Sequence, residues 1–446
     1  MPLCTFLFKS LLFKVLTVRR LNVFQKQEDI NRTMSSNIPL TYLTNSRIES
    51  LRLIKNTPDR KRLISMLKNT NQKNKVRYAV LLSCIMGLTA CQGGSAGDDS
   101  SVTPGPTPTP GPTPNPTPEP GPTPIPPPKP LPPTPDVADN TFLVDGVSFS
   151  NISDAQNALK DNSTLVIGNG TYRQGMTIQP SNVTIQGSPN THFIAGAVSG
   201  KATFVIQGND TTMEQIECSG VTVPDQNGAC IRQEGQNLLL KYAYFHDSEQ
   251  GILAHDGTGT IRIEYSRFEN LGKAGRAHAI YVNKADRLEV RYSKFYSSKD
   301  EGHEIKSRAK ETIIEYSEIA SLTGNDSRLV DVPNAGKLVI RGSVLEQGPN
   351  SANNQLLGYG YEVNPVDPAI SHSVEIRDNI IILERNGSNH FFGISDSAKD
   401  VSKVVTQNKF VGSMNDSALY QSGNQFYADR AAFGLGPFPE LPSIGL

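Results

Sequence analysis

From about Thr141 onward, short apolar stretches alternate residue by residue with polar positions, and each stretch is bounded by Gly, Asn, Asp or Ser. Segments such as IRIE, LEVR, TIIE, LVIR and VEIR therefore predict strands with one buried and one exposed face. Each leads into a recurrent tetrapeptide: YAYF at Tyr242, YSRF at Tyr265, YSKF at Tyr292, YSEI at Tyr316, GSVL at Gly342, DNII at Asp378 and QNKF at Gln407. Successive starts differ by 23, 27, 24, 26, 36 and 29 residues. A repeat of roughly 25 residues with several strands predicts a β-solenoid, since one coil buries its inner face only when others stack on it. The loops vary in length while the strands do not. That favours an all-β, right-handed parallel β-helix of about 8–10 coils over a propeller of antiparallel blades. It is expected to span residues 141–430, with residues 431–446 as a C-terminal tail. NISDAQNALK, from Asn151, has helical character and is expected to cover the first open end.

Aligning the coils on an inward apolar residue puts Ile231, Ile252, Ile280, Ile305 and Leu329 in one core column. By alternation, Arg232, Leu253, Tyr281, Lys306 and Val330 then face outward, as do Glu234, His255, Asn283, Arg308 and Val332 two residues further on. The frame shared by HAI at His278 and HEI at His303 thus repeats for the core, and the substitutions after it fall where a ligand would lie. Stacking about 4.8 Å apart would gather Tyr281, Lys306, Arg308, Asn283 and His255 into one patch, with Arg232 and Glu234 further along it.

The run VPDQNGACIRQEGQNLLL, followed by GIL, HAIYV, GHEIKSRAKETIIEYSEI, DVPNAG, LEQGP and LLGYG, resembles bacterial right-handed parallel β-helix repeat proteins of the pectate-lyase-like superfamily. The resemblance extends over roughly residues 143–412 and implies the same fold.

A flat, polar, cation-bearing strip suits an extended acidic polysaccharide, whose carboxylates pair with Lys and Arg along the chain. Uronate β-elimination needs a neutralised carboxylate, a base for the C5 proton and an acid for the leaving oxygen. Lys306 or Tyr281 is the candidate base, Arg308 the carboxylate neutraliser, and His255 or His278 the proton donor, with His303 a further candidate. Arg232, Glu234 and Asn283 are candidate substrate contacts; Tyr359 and Tyr361 in GYGY are either sugar-stacking rings or core aromatics. The competing reading makes Lys306 and Arg308, with Glu311, a surface ion-pair ladder. It places His278 and His303 inward by parity, or at a hydrogen-bonded corner, and gives Asp331 to the backbone of a Pro turn. On that reading the domain is a non-catalytic glycan-binding or structural envelope module. Polygalacturonase-type hydrolysis expects paired aspartates on the outward face, and these columns hold none. No zinc-ligand spacing occurs and no metal site or cofactor is expected; Asp300, Glu301 and Glu304 in KDEGHE offer at most a Ca2+ site.

Charge divides the chain. The first 90 residues carry 16 Lys and Arg against 4 Asp and Glu, leaving 27 against 39 for the remainder, an acidic balance that disfavours nucleic acid as partner. NKVRYAVLLSCIMGLTACQGG is basic at Lys75 and Arg77, apolar from Tyr78 to Met86, and ends in Leu88, Thr89, Ala90 and Cys91. It resembles a bacterial lipoprotein signal. The expectation is a signal peptide at residues 66–90, starting at Met66 or alternatively Met34, with residues 1–65 a non-native extension. The resemblance implies a lipidated Cys91 anchored in the outer membrane, Gln92 following it; an uncleaved signal anchor is the alternative. Residues 91–140 form a linker in which Pro at nearly every second or third position from Thr103 to Asp136 precludes a packed core. As polyproline II it would be a stalk on the order of 100 Å long. Of five cysteines, Cys218 and Cys230 remain in the exported domain. An oxidising compartment would let them pair, but alternation puts Cys230 on the outward side of Ile231.

Overall fold

The computed structural model describes residue 131 and residues 135–446; the signal region, Cys91 and most of the stalk lie outside the described residues. The described chain winds as a right-handed parallel β-solenoid of about nine turns. Three parallel sheets of nine, twelve and eleven strands run its length, here called sheets I, II and III. One coil contributes a strand to each in that order, as in Gln250–Ala254, Thr260–Glu264 and Arg267–Glu269. The twelve strands of sheet II include an N-terminal hairpin, Phe142–Val144 and Val147–Phe149, that pairs antiparallel to Thr164–Ile167. A helix, α1 (Ile152–Ala158), follows the hairpin, buries Ile152 and Ala155, and is N-capped by the Asn151 side chain accepting from the Asp154 N–H. It covers the first coil as expected, closing the edge that a solenoid would otherwise leave open.

The recurrent tetrapeptide is the corner between sheets II and III. Its fourth residue fills the core: Phe245, Phe268, Phe295, Ile319, Leu345, Ile381 and Phe410 lie in register up sheet III. Its first residue has a positive φ in every copy, from 49° at Tyr316 to 60° at Asp378 and Gly342. That conformation costs a non-glycine residue roughly 1 kcal/mol or more, and two ladders offset it. Outside, Tyr242, Tyr265, Tyr292 and Tyr316 stack in sequence, with ring centroids 5.2, 5.0 and 5.6 Å apart. Inside, the Ser or Asn at the second position of the later tetrapeptides satisfies the coil before it. The N–H groups of Ser266 and Ser293 donate to the hydroxyls of Ser293 and Ser317, each at 3.2 Å, and the Ser343 N–H donates to Asn379 Oδ1 at 3.0 Å.

Entry into sheet I departs from simple alternation. Two consecutive residues enter the core in each coil, namely Cys230 and Ile231, Ala279 and Ile280, Leu329 and Val330, and Leu356 and Leu357. Cys230 therefore points inward and forms a disulfide with Cys218, Cα atoms 5.9 Å apart, correcting the outward placement drawn from parity. Beyond the last coil, Arg430 on helix α2 (Arg430–Phe433) forms a two-point ion pair with Glu384. Phe433, Leu435, Leu441 and Ile444 of the terminal segment then pack on Val344, Ile382 and Val411 of sheet III.

Candidate functional site on sheet I

The register of sheet I decides which residues meet. Ile231, Ile252, Ile280 and Ile305 align as expected, but Ile305 pairs with Val330 and Lys306 with Asp331. The core column continues through Val330 rather than Leu329, and the outward position above Lys306 is Asp331 rather than Val330. Val332 aligns with the core-facing Tyr359 and is itself buried. The physical reason is the doubled inward pair at each strand entry, which makes Leu329 and Val330 both core residues and shifts every later side chain by one face. Asp331 is thereby removed from the turn role assigned to it and brought onto the strip.

The same doubling turns His278 and His303 to the outward side. Their rings stack 4.8 Å apart, and His278 meets the Tyr281 ring edge to face at 5.4 Å. His303 Nε2 lies 3.6 Å from Asp331 Oδ2. Both Nδ1 atoms accept from backbone one coil on: the His303 N–H donates to His278 and the Arg328 N–H to His303, each at 3.0 Å. This fixes the proton of each neutral ring on Nε2. Burial, helped by the Lys306 and Arg328 charges, pushes His303 down to about 3, and burial with His303, Lys306 and Arg308 holds His278 well below the usual imidazole range. Neither ring is a proton-donating imidazolium at neutral pH. As neutral rings they present Nε2–H to the strip.

Around them, three cations converge. Arg308 donates from Nε to the Tyr281 hydroxyl and from Nη1 to Asn334 Oδ1, both at 2.9 Å. Arg328, which sequence reasoning passed over, donates to Asp331 Oδ1 at 3.2 Å and to Gln355 Oε1 at 2.6 Å. Lys306 Nζ lies 3.7 Å from Asp331 Oδ2. Gly358 occupies the next outward position in the column, where a Cβ would stand 2.6 Å from Asp331 Oδ1 and 2.7 Å from Arg328 Cδ. Only glycine leaves both side chains their place. Burial raises the Asp331 carboxyl above its ordinary value against the opposing pull of Arg328 and Lys306.

A loop completes the site. Gly360, at φ +76°, turns the chain back over sheet I, and the Glu362 N–H donates to the Pro333 carbonyl at 2.9 Å. The Glu362 carboxylate then sits between Lys306 Nζ, at 3.0 Å, and the Arg308 guanidinium. Burial pushes this carboxyl up, but hydrogen bonds from Lys306 and Arg308 outweigh it and leave it below its ordinary value. Tyr361 beside it is exposed, accepts from Gln355 Nε2 at 2.9 Å and carries the Arg328 guanidinium 4.9 Å from its ring centre. Tyr359 is fully buried, with its hydroxyl on the Gly336 carbonyl, so it is a core residue and not a sugar platform.

The outer candidates do not join this group. His255 lies two coils from Arg308 in register, its Nδ1 against the Asp256 carbonyl. Asn283 donates to the Ala254 carbonyl. Glu234 pairs with both Arg232 and Lys201. In register Leu253 stands between Arg232 and Tyr281, within an apolar patch against which Tyr281 itself packs. Nor does KDEGHE gather carboxylates: Asp300 pairs with Lys273, and Glu304 is buried on Ser298, its pKa pushed up to about 8 by burial. A group neutral under those conditions is a poor Ca2+ ligand.

The sequence profile of the right handed beta helix region matches residues 138–319. Register, handedness and profile define a right-handed parallel β-helix protein. Among solved structures the chain is similar to an alginate lyase from Paenibacillus sp. str. FPU-7, at 16% identity over 61% of this chain and 93% of that one, TM-score 0.43. It is also similar to a PL6 alginate lyase in complex with a trisaccharide, at 14% identity over 64% and 91%, TM-score 0.24. A third is pectin methylesterase from Yersinia enterocolitica, at 12% identity over 65% and 98%, TM-score 0.29. No curated protein matches the chain.

Proposed function

We propose that the outward face of sheet I around Lys306 and Arg308 binds the carboxylates of an acidic polysaccharide and cleaves it by β-elimination. The observation that carries this reading is the seat of Glu362: Lys306 and Arg308 hold a carboxylate there. It hangs from a loop rather than from a core strand, so a uronate can take its place. With Glu362 displaced, Arg308 neutralises the sugar carboxylate and thereby acidifies C5. Lys306 takes the C5 proton, a role that requires it first to give up the charge it holds against Glu362. The electron pair forms the C4–C5 double bond and the C4–O bond breaks. Tyr281, whose hydroxyl accepts from Arg308 Nε, protonates the leaving oxygen, the guanidinium stabilising the phenolate that results. Arg328 and Tyr361 line the next position along the polymer.

A non-catalytic glycan-binding face remains the second reading, because every cation at the site is already matched by Asp331, Glu362 or a neutral acceptor. The test is ultraviolet absorbance of unsaturated uronate while the purified protein is incubated with uronate polymers, alongside affinity electrophoresis in the same polymers. Product formation lost in Lys306→Ala and Arg308→Ala supports the lyase. Retardation without product, abolished by the same substitutions, selects the binding module, and neither signal removes polysaccharide from the proposal. The same reading anchors the domain to the outer membrane, on its periplasmic face or at the cell surface, by a lipidated Cys91; an unmodified Cys91 in the mass spectrum of the N-terminal peptide would overturn that part.

A further inference from the structure

On sheet III, three successive coils bring His192, Glu217 and His246 together, with one nitrogen or oxygen of each within 4.8 Å of the others. Glu217 pairs directly with His192 in register, and His246 sits one coil on, opposite Ser219. Both imidazoles aim at the same carboxylate oxygen, His192 Nδ1 at 3.5 Å and His246 Nε2 at 3.1 Å from Glu217 Oε1. Donors around a tetrahedral metal with bonds of about 2.0–2.1 Å stand roughly 3.3 Å apart. Two edges of such a site are therefore already formed.

The outer partners of both rings are in place. Asp247 Oδ2 is 2.7 Å from His246 Nδ1, and Ser219 Oγ is 2.8 Å from His192 Nε2. A carboxylate accepts only, so Asp247 holds a proton on His246 Nδ1, and the other nitrogen faces Glu217. Either a proton on Nε2 or a metal ion can lie between those two atoms, and a metal ion would engage His192 as well. A carboxylate behind the distal nitrogen is the arrangement that orients a histidine towards a metal and raises its basicity.

We propose that His192, Glu217 and His246 bind a divalent first-row transition metal such as Zn2+, with water in the fourth position. Two imidazole nitrogens select such an ion against Ca2+ and Mg2+, which prefer oxygen ligands. The ion would tie the strands Thr191–Ile194, Glu217–Ser219 and Tyr244–His246 from outside, while Cys218, next to Glu217, ties the same region from inside through its disulfide. No short motif marks the site, because each ligand comes from a different coil.

Calorimetric titration of the chelator-treated full-length protein with Zn2+ tests the proposal. The expected result is saturable one-to-one binding, absent with Ca2+ or Mg2+ and lost in the His192→Ala, His246→Ala double variant. Asp247→Asn, which leaves all three ligands in place, is expected to weaken Zn2+ by about 10–100-fold, and it serves if the double variant fails to fold. No saturable uptake by the unaltered protein, or uptake unchanged in either variant with a native circular dichroism spectrum, overturns the assignment.

Discussion

The outward faces of sheets I and II both carry Lys and Arg, and they use them in opposite ways. On sheet II the charges alternate in register up the stack: Arg287 meets Glu311 at 2.6 Å and Arg291 meets Glu315 at 2.9 Å. Arg287 and Glu311 are 42% and 31% exposed, so that pair is a solvated rung worth about 1 kcal/mol or less, while Arg291 closes over the buried Glu315. On sheet I the side chains of Lys306, Arg308 and Arg328 are 13%, 19% and 16% exposed and converge on two carboxylates, one from the next coil and one from a loop. Glu311 belongs to the sheet II ladder and not to Lys306 or Arg308. A regular ladder keeps a sheet soluble, whereas cations partly desolvated around one point have an electrostatic field that a ligand can use.

The most demanding test of that contrast is activity. Lys306→Ala should lower product formation from uronate polymers by about 10²–10⁴-fold, while Arg287→Ala on sheet II should leave it within a factor of about two; equal losses would erase the distinction between the faces. Stability separates the paired tyrosines of sheet I next. Tyr359→Ala removes a buried ring and should cost about 3–5 kcal/mol in urea unfolding, whereas Tyr361→Ala, on an exposed ring, should stay within about 1 kcal/mol and show its effect in glycan affinity.

A smaller effect is expected from the acids beneath the site. Burial raises Glu304 and Glu346 to about 8 from 4.5. A raised carboxyl favours the folded, protonated form, so their contribution is full below pH 4.5 and is lost as pH rises towards 8. His303, lowered from 6.5 to about 3, acts in the other direction, its contribution lost as pH falls through that window. The limbs overlap from pH 4.5 to 6.5, where two acids outweigh one imidazole, so the urea midpoint should peak near pH 4.5, and Glu304→Gln with Glu346→Gln should flatten the alkaline limb. The smallest change is predicted for Arg287→Ala, whose unfolding free energy should shift by no more than about 1 kcal/mol; a larger loss would mean that the ladder, too, is a coupled network.

Much of this molecule was legible as sequence. The recurrent tetrapeptide predicted the coils, NISDAQNALK the cap, and the HxI frame both the core column through Ile231, Ile252, Ile280 and Ile305 and the outward placement of Tyr281, Lys306 and Arg308. Those features are local: side chains alternate along a strand, and identical positions stack when coils stack. The positive φ at the first residue of each tetrapeptide was not visible, because a tyrosine there is disfavoured by intrinsic preference, a penalty offset by stacked rings and hydrogen bonds from neighbouring coils.

What the tertiary structure alone decided is the register and the loops. Leu329 and Val330 are equally apolar, so composition could not choose which one continues the core. The doubled inward pair at the strand entry did, and with that one-residue shift Asp331 joined Lys306 while His278 and His303 turned outward. Glu362 reached Lys306 and Arg308 from 56 and 54 residues further along the chain, and His192, Glu217 and His246 met across three coils. Contacts between coils depend on where the backbone crosses from one sheet to the next, and no spacing along the chain encodes them.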